Sequence, residues 1–133
     1  MFSVLLADDE QLDREGLRRQ IPWEDLQVEE IRLARNGREV LELLRQAPAD
    51  ILLTDISMPG MNGLDLAEES ARLCPDIRVI FISGYADFSY AQKAVELGAS
   101  GYVLKPVDTA EFCKVFRRAS QDILEEKRLR KDL

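Results

Sequence analysis

The 133-residue chain contains no histidine. That removes the usual general base, the usual zinc ligand and any phosphohistidine of its own. Cysteine is nearly as scarce. Cys74 and Cys113 stand in unlike contexts, are too few for a zinc site, and read as reduced, packed thiols. No apolar run approaches the roughly 20 residues of a membrane-spanning helix. Met1–Leu6 is apolar but lacks a basic leader and soon meets Asp8, Asp9 and Glu10, so it does not read as a signal peptide. A cytoplasmic location is expected, with no membrane partner. Positive charge is also short: 18 Lys and Arg face 25 Asp and Glu, a net −7. The deficit is uneven, with 10 basic against 19 acidic residues over 1–104 and 8 against 6 over 105–133. Direct nucleic-acid binding by the acidic bulk is not expected.

What is there is ordinary for one globular domain: 46% hydrophobic and 32% charged residues, in a length that buries a real core. Short apolar runs alternate with longer helical ones. Ser3–Ala7 reads as a strand and Gln11–Gln20 as a helix, with Leu12 and Leu17 on one side. Glu30–Ala34 alternates apolar and charged residues, as a strand near an edge does. Arg38–Gln46 is a helix with Val40, Leu41, Leu43 and Leu44 inward. Asp50–Thr54 is a continuous apolar strand that fits burial on both faces. A turn-rich loop, Ser57–Gly63, leads to a helix over Leu64–Leu73. Ile77–Ile82 is the fourth strand. Asp87 suits the N-cap of a helix running to Leu97, with Gly98 as its stop. Gly101–Leu104 is the fifth strand, and Asp108 suits the cap of a final helix. Five β-α units in this order imply an α/β fold: a parallel sheet with helices on both faces and right-handed crossovers.

In such sheets ligands sit at the carboxyl ends of the strands, where strand order reverses. Asp8 and Asp9 follow the first strand, Asp55 the third, Ser83 and Gly84 the fourth, and Lys105 and Pro106 the fifth. Singly each is an ordinary cap or turn residue; their joint placement is informative. Converging carboxylates repel, and a divalent cation relieves that. Oxygen ligands without histidine or thiolate suit Mg²⁺ or Mn²⁺. Metal, ammonium and hydroxyl together make a site for a phosphoryl group. Asp55 is the best nucleophile, since it ends the most buried strand beside a glycine-rich loop. Phosphoryl transfer then needs mainly positioning and charge neutralisation.

The runs L-L-A-D-D-E at Leu5–Glu10, L-L-T-D-I-S-M-P-G-M-N-G at Leu52–Gly63, F-I-S-G-Y at Phe81–Tyr85 and G-Y-V-L-K-P-V at Gly101–Val107 resemble the receiver domain of two-component response regulators. The likeness covers about residues 2–125. It implies a flavodoxin-like (βα)5 doubly wound sandwich with strand order 2-1-3-4-5. It also implies that Asp55 takes a phosphoryl group from a sensor histidine kinase. Asp9, Asp55 and the backbone carbonyl of Ser57 would then hold Mg²⁺ directly, and Asp8 through water. Ser83 would bind the phosphoryl oxygens and Lys105 would pair with them. Pro106 would follow a cis bond, Gly84 would leave space for the donor, and Tyr102 would turn inward on activation. Ser57 and Tyr85 would tune the phosphate's lifetime. The surface of the fourth helix, fifth strand and fifth helix would carry the signal. No enzyme activity is expected beyond the domain's own phosphorylation and dephosphorylation.

The tract from Phe81 to Val107, with Pro22-Trp23, is similar to receivers that carry a C-terminal AraC-type DNA-binding domain. DNA would be a partner only through that domain, and a phosphorylation-dependent homodimer fits the same family. Residues 1–124 read as the receiver and 125–133 as the start of a helical linker, in a chain truncated before its output domain. Phe112, Phe116, Ala119 and Ile123 share one helix face and read as core. Leu124, Leu129 and Leu133 are spaced too irregularly to decide between a coiled coil and a frayed linker. Trp23 is either core cover or a partner contact. Three other functions fit less well. A phosphohydrolase would carry a second acid where Ser57 stands. A flavin protein would not place Asp8, Asp9 and Glu10 where the flavin phosphate lies. A phosphorylation-independent interaction receiver usually lacks the acids or the lysine, and all are present.

Overall fold

A computed structural model describes residues 1–84 and 88–131. Strands and helices alternate: β1 (Phe2–Ala7), α1 (Gln11–Gln20), β2 (Val28–Ala34), α2 (Gly37–Gln46), β3 (Ile51–Asp55), α3 (Gly63–Leu73), β4 (Arg78–Ser83), α4 (Phe88–Glu96), β5 (Gly101–Leu104) and α5 (Thr109–Lys131). The strands form one parallel sheet in the order β2-β1-β3-β4-β5. This is the flavodoxin-like doubly wound arrangement expected above. The order reverses between β1 and β3, so the residues after those two strands flank the switch point.

Period-two alternation splits the core in two. Val4, Leu6, Ile51, Leu53, Ile80 and Ile82 point toward α1 and α5, where they meet Leu17, Phe112, Phe116, Ala119 and Ile123. Leu5, Leu52, Val79 and Phe81 point the other way, toward Val40, Leu44, Leu66, Ala67 and Ala94 of α2, α3 and α4. All five residues of β3 are buried, as its apolar run predicts. β2 lies at the edge, as its pattern predicts, but its exposure does not alternate: Glu29 and Glu30 are both exposed, and Ile31, Arg32 and Leu33 are all half-buried, the Arg32 guanidinium being drawn in by the Leu43 carbonyl.

The pairing moves several boundaries. β3 and β4 each end one residue later than their apolar runs, because Asp55 pairs with Ile82 and Ser83 with Leu104. Both polar residues are therefore held by the ladder rather than by a loop. β2 begins earlier, because Val28 pairs with Phe2. Asn36 and Asn62 accept hydrogen bonds from the Glu39 and Asp65 amides, which starts α2 and α3 beside the same end of the sheet. Asp108 does the same for α5 through the Glu111 amide. Gly98 stops the chain after α4 at φ +76°, a region that favours glycine. The expected Asp87 cap lies outside the described residues.

Leu12 corrects the sequence reading of α1. It is 84% exposed, whereas Leu17 is buried. Five residues at 100° each put the two about 140° apart on the helix, too far for one apolar stripe. Leu43 of α2 is only half-buried, on the margin of its helix's inner face. Trp23 is core cover: its ring meets Phe112 edge-on at 5.7 Å and Phe116 at 6.2 Å. Its Nε1 donates to the Arg18 carbonyl at 3.0 Å. Cys113 is buried, but Cys74 is only half-buried, with Sγ 3.5 Å from the Ala49 carbonyl. Among the described residues no helix is long and apolar enough to cross a membrane.

Candidate functional site

β1 delivers Asp8 and Asp9, and β3 delivers Asp55, on either side of the switch point. One carboxylate oxygen from each lies within 4.8 Å of the others. Asp8 is 2% exposed and Asp55 is buried, while Asp9 faces solvent. Asp8 Oδ1 accepts the Glu10 amide at 2.9 Å, and the Arg14 guanidinium donates to the Asp8 carbonyl at 2.7 Å. These bonds bind the start of α1 to the end of β1. Asp55 Oδ1 accepts the Ser57 amide at 3.1 Å.

The backbone around Asp55 is closely overlaid. A Cβ on Gly63 would fall 2.2 Å from the Asp55 carbonyl oxygen, so only glycine lets α3 begin here. The Gly63 amide donates to the Ile56 carbonyl at 2.8 Å, closing the loop after the strand. That is how the turn-rich Ser57–Gly63 segment fixes the backbone at Asp55.

Lys105 enters from β5. Its Nζ lies 2.8 Å from Asp55 Oδ2, 2.9 Å from Asp8 Oδ2 and 3.1 Å from Asp13 Oδ2. Partial burial pulls the lysine down, but hydrogen bonds to Asp55 and Asp8 outweigh it and hold the ammonium above its ordinary value. Burial pushes the Asp8 carboxyl up, and the Glu10 amide and Lys105 counter this only in part. Asp8 is thus a carboxylate whose desolvation the protein's own donors do not fully offset. A hard divalent cation suits such an oxygen set.

Ser83 ends the neighbouring strand, fully buried, and its carbonyl accepts the Lys105 amide at 2.8 Å. The bond between Lys105 and Pro106 is cis. Gly84 is exposed just beyond β4. Ser57 is exposed above Asp55. Tyr102 lies apart from the carboxylates, half-buried on β5 beside Phe81 and against the α2–α4 side of the core. Tyr85 lies outside the described residues.

Two contributors escaped the sequence reading. Asp13 is in the first turn of α1, and Arg14 follows it. The available signal was their place one helical turn after the acidic pair, which brings the first turn back over the same end of the sheet. An acidic first turn is, however, common wherever a helix begins.

Known proteins resemble this chain along nearly all of its length. The response regulator receiver domain family matches residues 4–117. The transcriptional regulatory protein HptR of Staphylococcus aureus is 40% identical over 126 residues, covering 95% of this chain and 49% of that protein. A response regulatory protein of Staphylococcus epidermidis is 38% identical over 125 residues, with 94% and 49% coverage. The chain thus spans about half the length of these curated relatives. Among solved structures, a two-component transcriptional regulator AraC from Clostridium phytofermentans superposes with a TM-score of 0.88 at 35% identity, covering 96% of this chain and 98% of that one. The receiver domain of AraT, a response regulator from Geobacillus stearothermophilus, gives 0.85 at 39% identity, with 95% and 98% coverage.

Proposed function

The chain belongs to the response regulator receiver domain family, and on that premise we propose that Asp55 is its phosphoacceptor, loaded by a sensor histidine kinase. The observation that carries the reading is the placement of Lys105 Nζ between Asp55 and Asp8, with Asp9 completing the carboxylate group.

A carboxylate nucleophile needs no general base, which suits a chain without histidine. One Asp55 oxygen attacks the phosphorus in line, the bond to the donor's leaving group breaks, and that group departs with the electron pair. The Ser57 amide orients the carboxylate through Oδ1. Lys105 exchanges its bond to Oδ2 for one to a phosphoryl oxygen, and the Ser83 hydroxyl supplies another donor. Asp9, Asp55 and the Ser57 carbonyl would hold Mg²⁺ or Mn²⁺, with Asp8 behind them. When bound, the ion supplies positive charge to the crowded carboxylates and phosphoryl oxygens.

The added phosphoryl charge draws Ser83 toward Asp55 and biases a pre-existing equilibrium. Ser83 and Tyr102 sit on adjacent strands, so that bias reaches the surface of α4, β5 and α5. In a protein of the curated relatives' length this surface would control a C-terminal DNA-binding domain, with 1–124 as receiver and 125–133 as the start of the linker.

Intact mass after incubation with Mg²⁺ and acetyl phosphate tests the reading. We expect a gain of one phosphoryl group that needs both metal and Asp55, and none in Asp55→Asn. An undiminished gain in that variant removes Asp55 from its role. No gain in folded, Mg²⁺-binding wild type leaves either a receiver that works through protein contacts alone or one loaded strictly by its cognate kinase.

A further inference from the structure

We propose that Asp13 is a positioning residue for Lys105, tethering its ammonium from the α1 side of the site and slowing phosphoryl uptake at Asp55. The proposal rests on the reading of Asp55 as phosphoacceptor. An ammonium has three donors, and all three are committed to carboxylates: Asp55 at 2.8 Å, Asp8 at 2.9 Å and Asp13 at 3.1 Å. A phosphoryl oxygen gains a donor only if one of these lets go.

Asp13 differs from the other two. Its side chain is 48% exposed, against 2% for Asp8 and 10% for Asp55. It belongs to α1 rather than to the sheet, and it stands 92 residues from its partner. A pair this exposed adds little to stability. Its effects are instead on where the ammonium points and on how much negative charge an anionic donor meets. The surroundings allow the lysine to move. Leu12, Asp13, Gly16 and Leu17 of α1 line, with Lys105 and Pro106, a shallow cavity of about 200 Å³. Gln20 Nε2 donates to the Val107 carbonyl at 2.7 Å and to Thr109 Oγ1 at 3.0 Å, fixing the backbone after Lys105 along α1. The backbone beside Lys105 is thus docked on α1, and its ammonium is held from the α1 side by Asp13 and from the sheet side by Asp8 and Asp55.

Two readouts on D13N, D13E and the charge control E10Q decide the matter. Glu10 is exposed on the same rim and meets Asp8 through its backbone amide. The first readout is the Lys105 ammonium signal in a ¹H–¹⁵N spectrum of the metal-free protein. It should be sharp in wild type, D13E and E10Q, and broadened or lost in D13N as the third donor reaches water. The second is the initial rate of mass gain from acetyl phosphate at saturating Mg²⁺ and low salt. D13N should be about three- to tenfold faster than wild type, a gap that narrows in high salt. D13E should restore the slow rate, and E10Q should accelerate it less than D13N. An unchanged ammonium signal in D13N, or equal acceleration by E10Q, overturns the positioning role. If wild type gains no phosphoryl group, the failure lies in the loading of Asp55 by acetyl phosphate and not in Asp13, and the ammonium signal alone decides whether Asp13 holds Lys105.

Discussion

Asp8 carries the sharpest conflict at the scale of single residues. It is almost wholly buried beside Asp55, and burial keeps its carboxyl above the ordinary value although Lys105 is 2.9 Å away. The folded chain therefore retains a proton on Asp8 at a pH where the unfolded chain, near pKa 3.9, has lost it. Folding takes up that proton, so this group's contribution falls as pH rises through the window above the unfolded value. Lys105 has the opposite consequence: its raised value contributes stability that is lost only above the ordinary lysine range. Below the lysine range the Asp8 effect stands alone of the two. Asp8→Asn should raise the Tm of the metal-free protein at pH 7 by about 2–5 °C, and the advantage should shrink as pH falls toward the carboxylate value of the unfolded chain. A variant that melts below wild type at pH 7 contradicts this account.

Among the elements, α5 is the one whose two halves are held differently. Up to Ile123 it is fastened by burial of Phe112, Phe116, Ala119 and Ile123. Beyond that, Leu124 and Leu129 face solvent, and ion pairs take over. The Arg130 guanidinium meets both Asp76 oxygens at 2.7 and 3.0 Å, and Glu126 at 2.9 Å. Glu126 also pairs with Arg78 at the start of β4. The last turns thus lie against the base of the sheet, at the end opposite the carboxylates. Arg130→Ala should loosen only this tail: amide hydrogen exchange over 124–131 should quicken several-fold while the Tm stays nearly unchanged. High salt should act in the same way on wild type. Unaltered exchange in the variant means that the helix itself, not the clasp, orders these residues.

The whole molecule is a sheet between two separate cores, and its cooperativity depends on filling both. On the α1–α5 side, Phe112 and Phe116 stack at 6.0 Å and receive Trp23 edge-on. Phe116 is fully buried where α5 crosses the sheet, so Phe116→Ala should cost about 3–5 kcal/mol. Leu12→Ala, on the exposed side of α1, should change stability by no more than about 0.5 kcal/mol. The fluorescence of Trp23, the only tryptophan, reports both transitions in a denaturant titration. Similar midpoints for the two variants would mean that the core as described is not what the fold rests on.

The sequence by itself determined the alternation of strands and helices, the edge position of β2, the buried centre at β3 and the strand ends at which Asp8, Asp55 and Ser83 stand. These follow from periods of 2 and 3.6 residues and from turn chemistry, which neighbouring residues carry. Only the tertiary structure decided that Leu12 faces out, that Asp55 and Ser83 belong to the ladder, that Asp13 shares the Lys105 ammonium, and that the tail of α5 folds back on Asp76 and Arg78. Each depends on groups about 20 to 90 residues apart, or on which side of a helix the sheet covers. Local pattern leaves such choices open. Packing and strand register settle them, because burying one face fixes which charges remain within reach of each other.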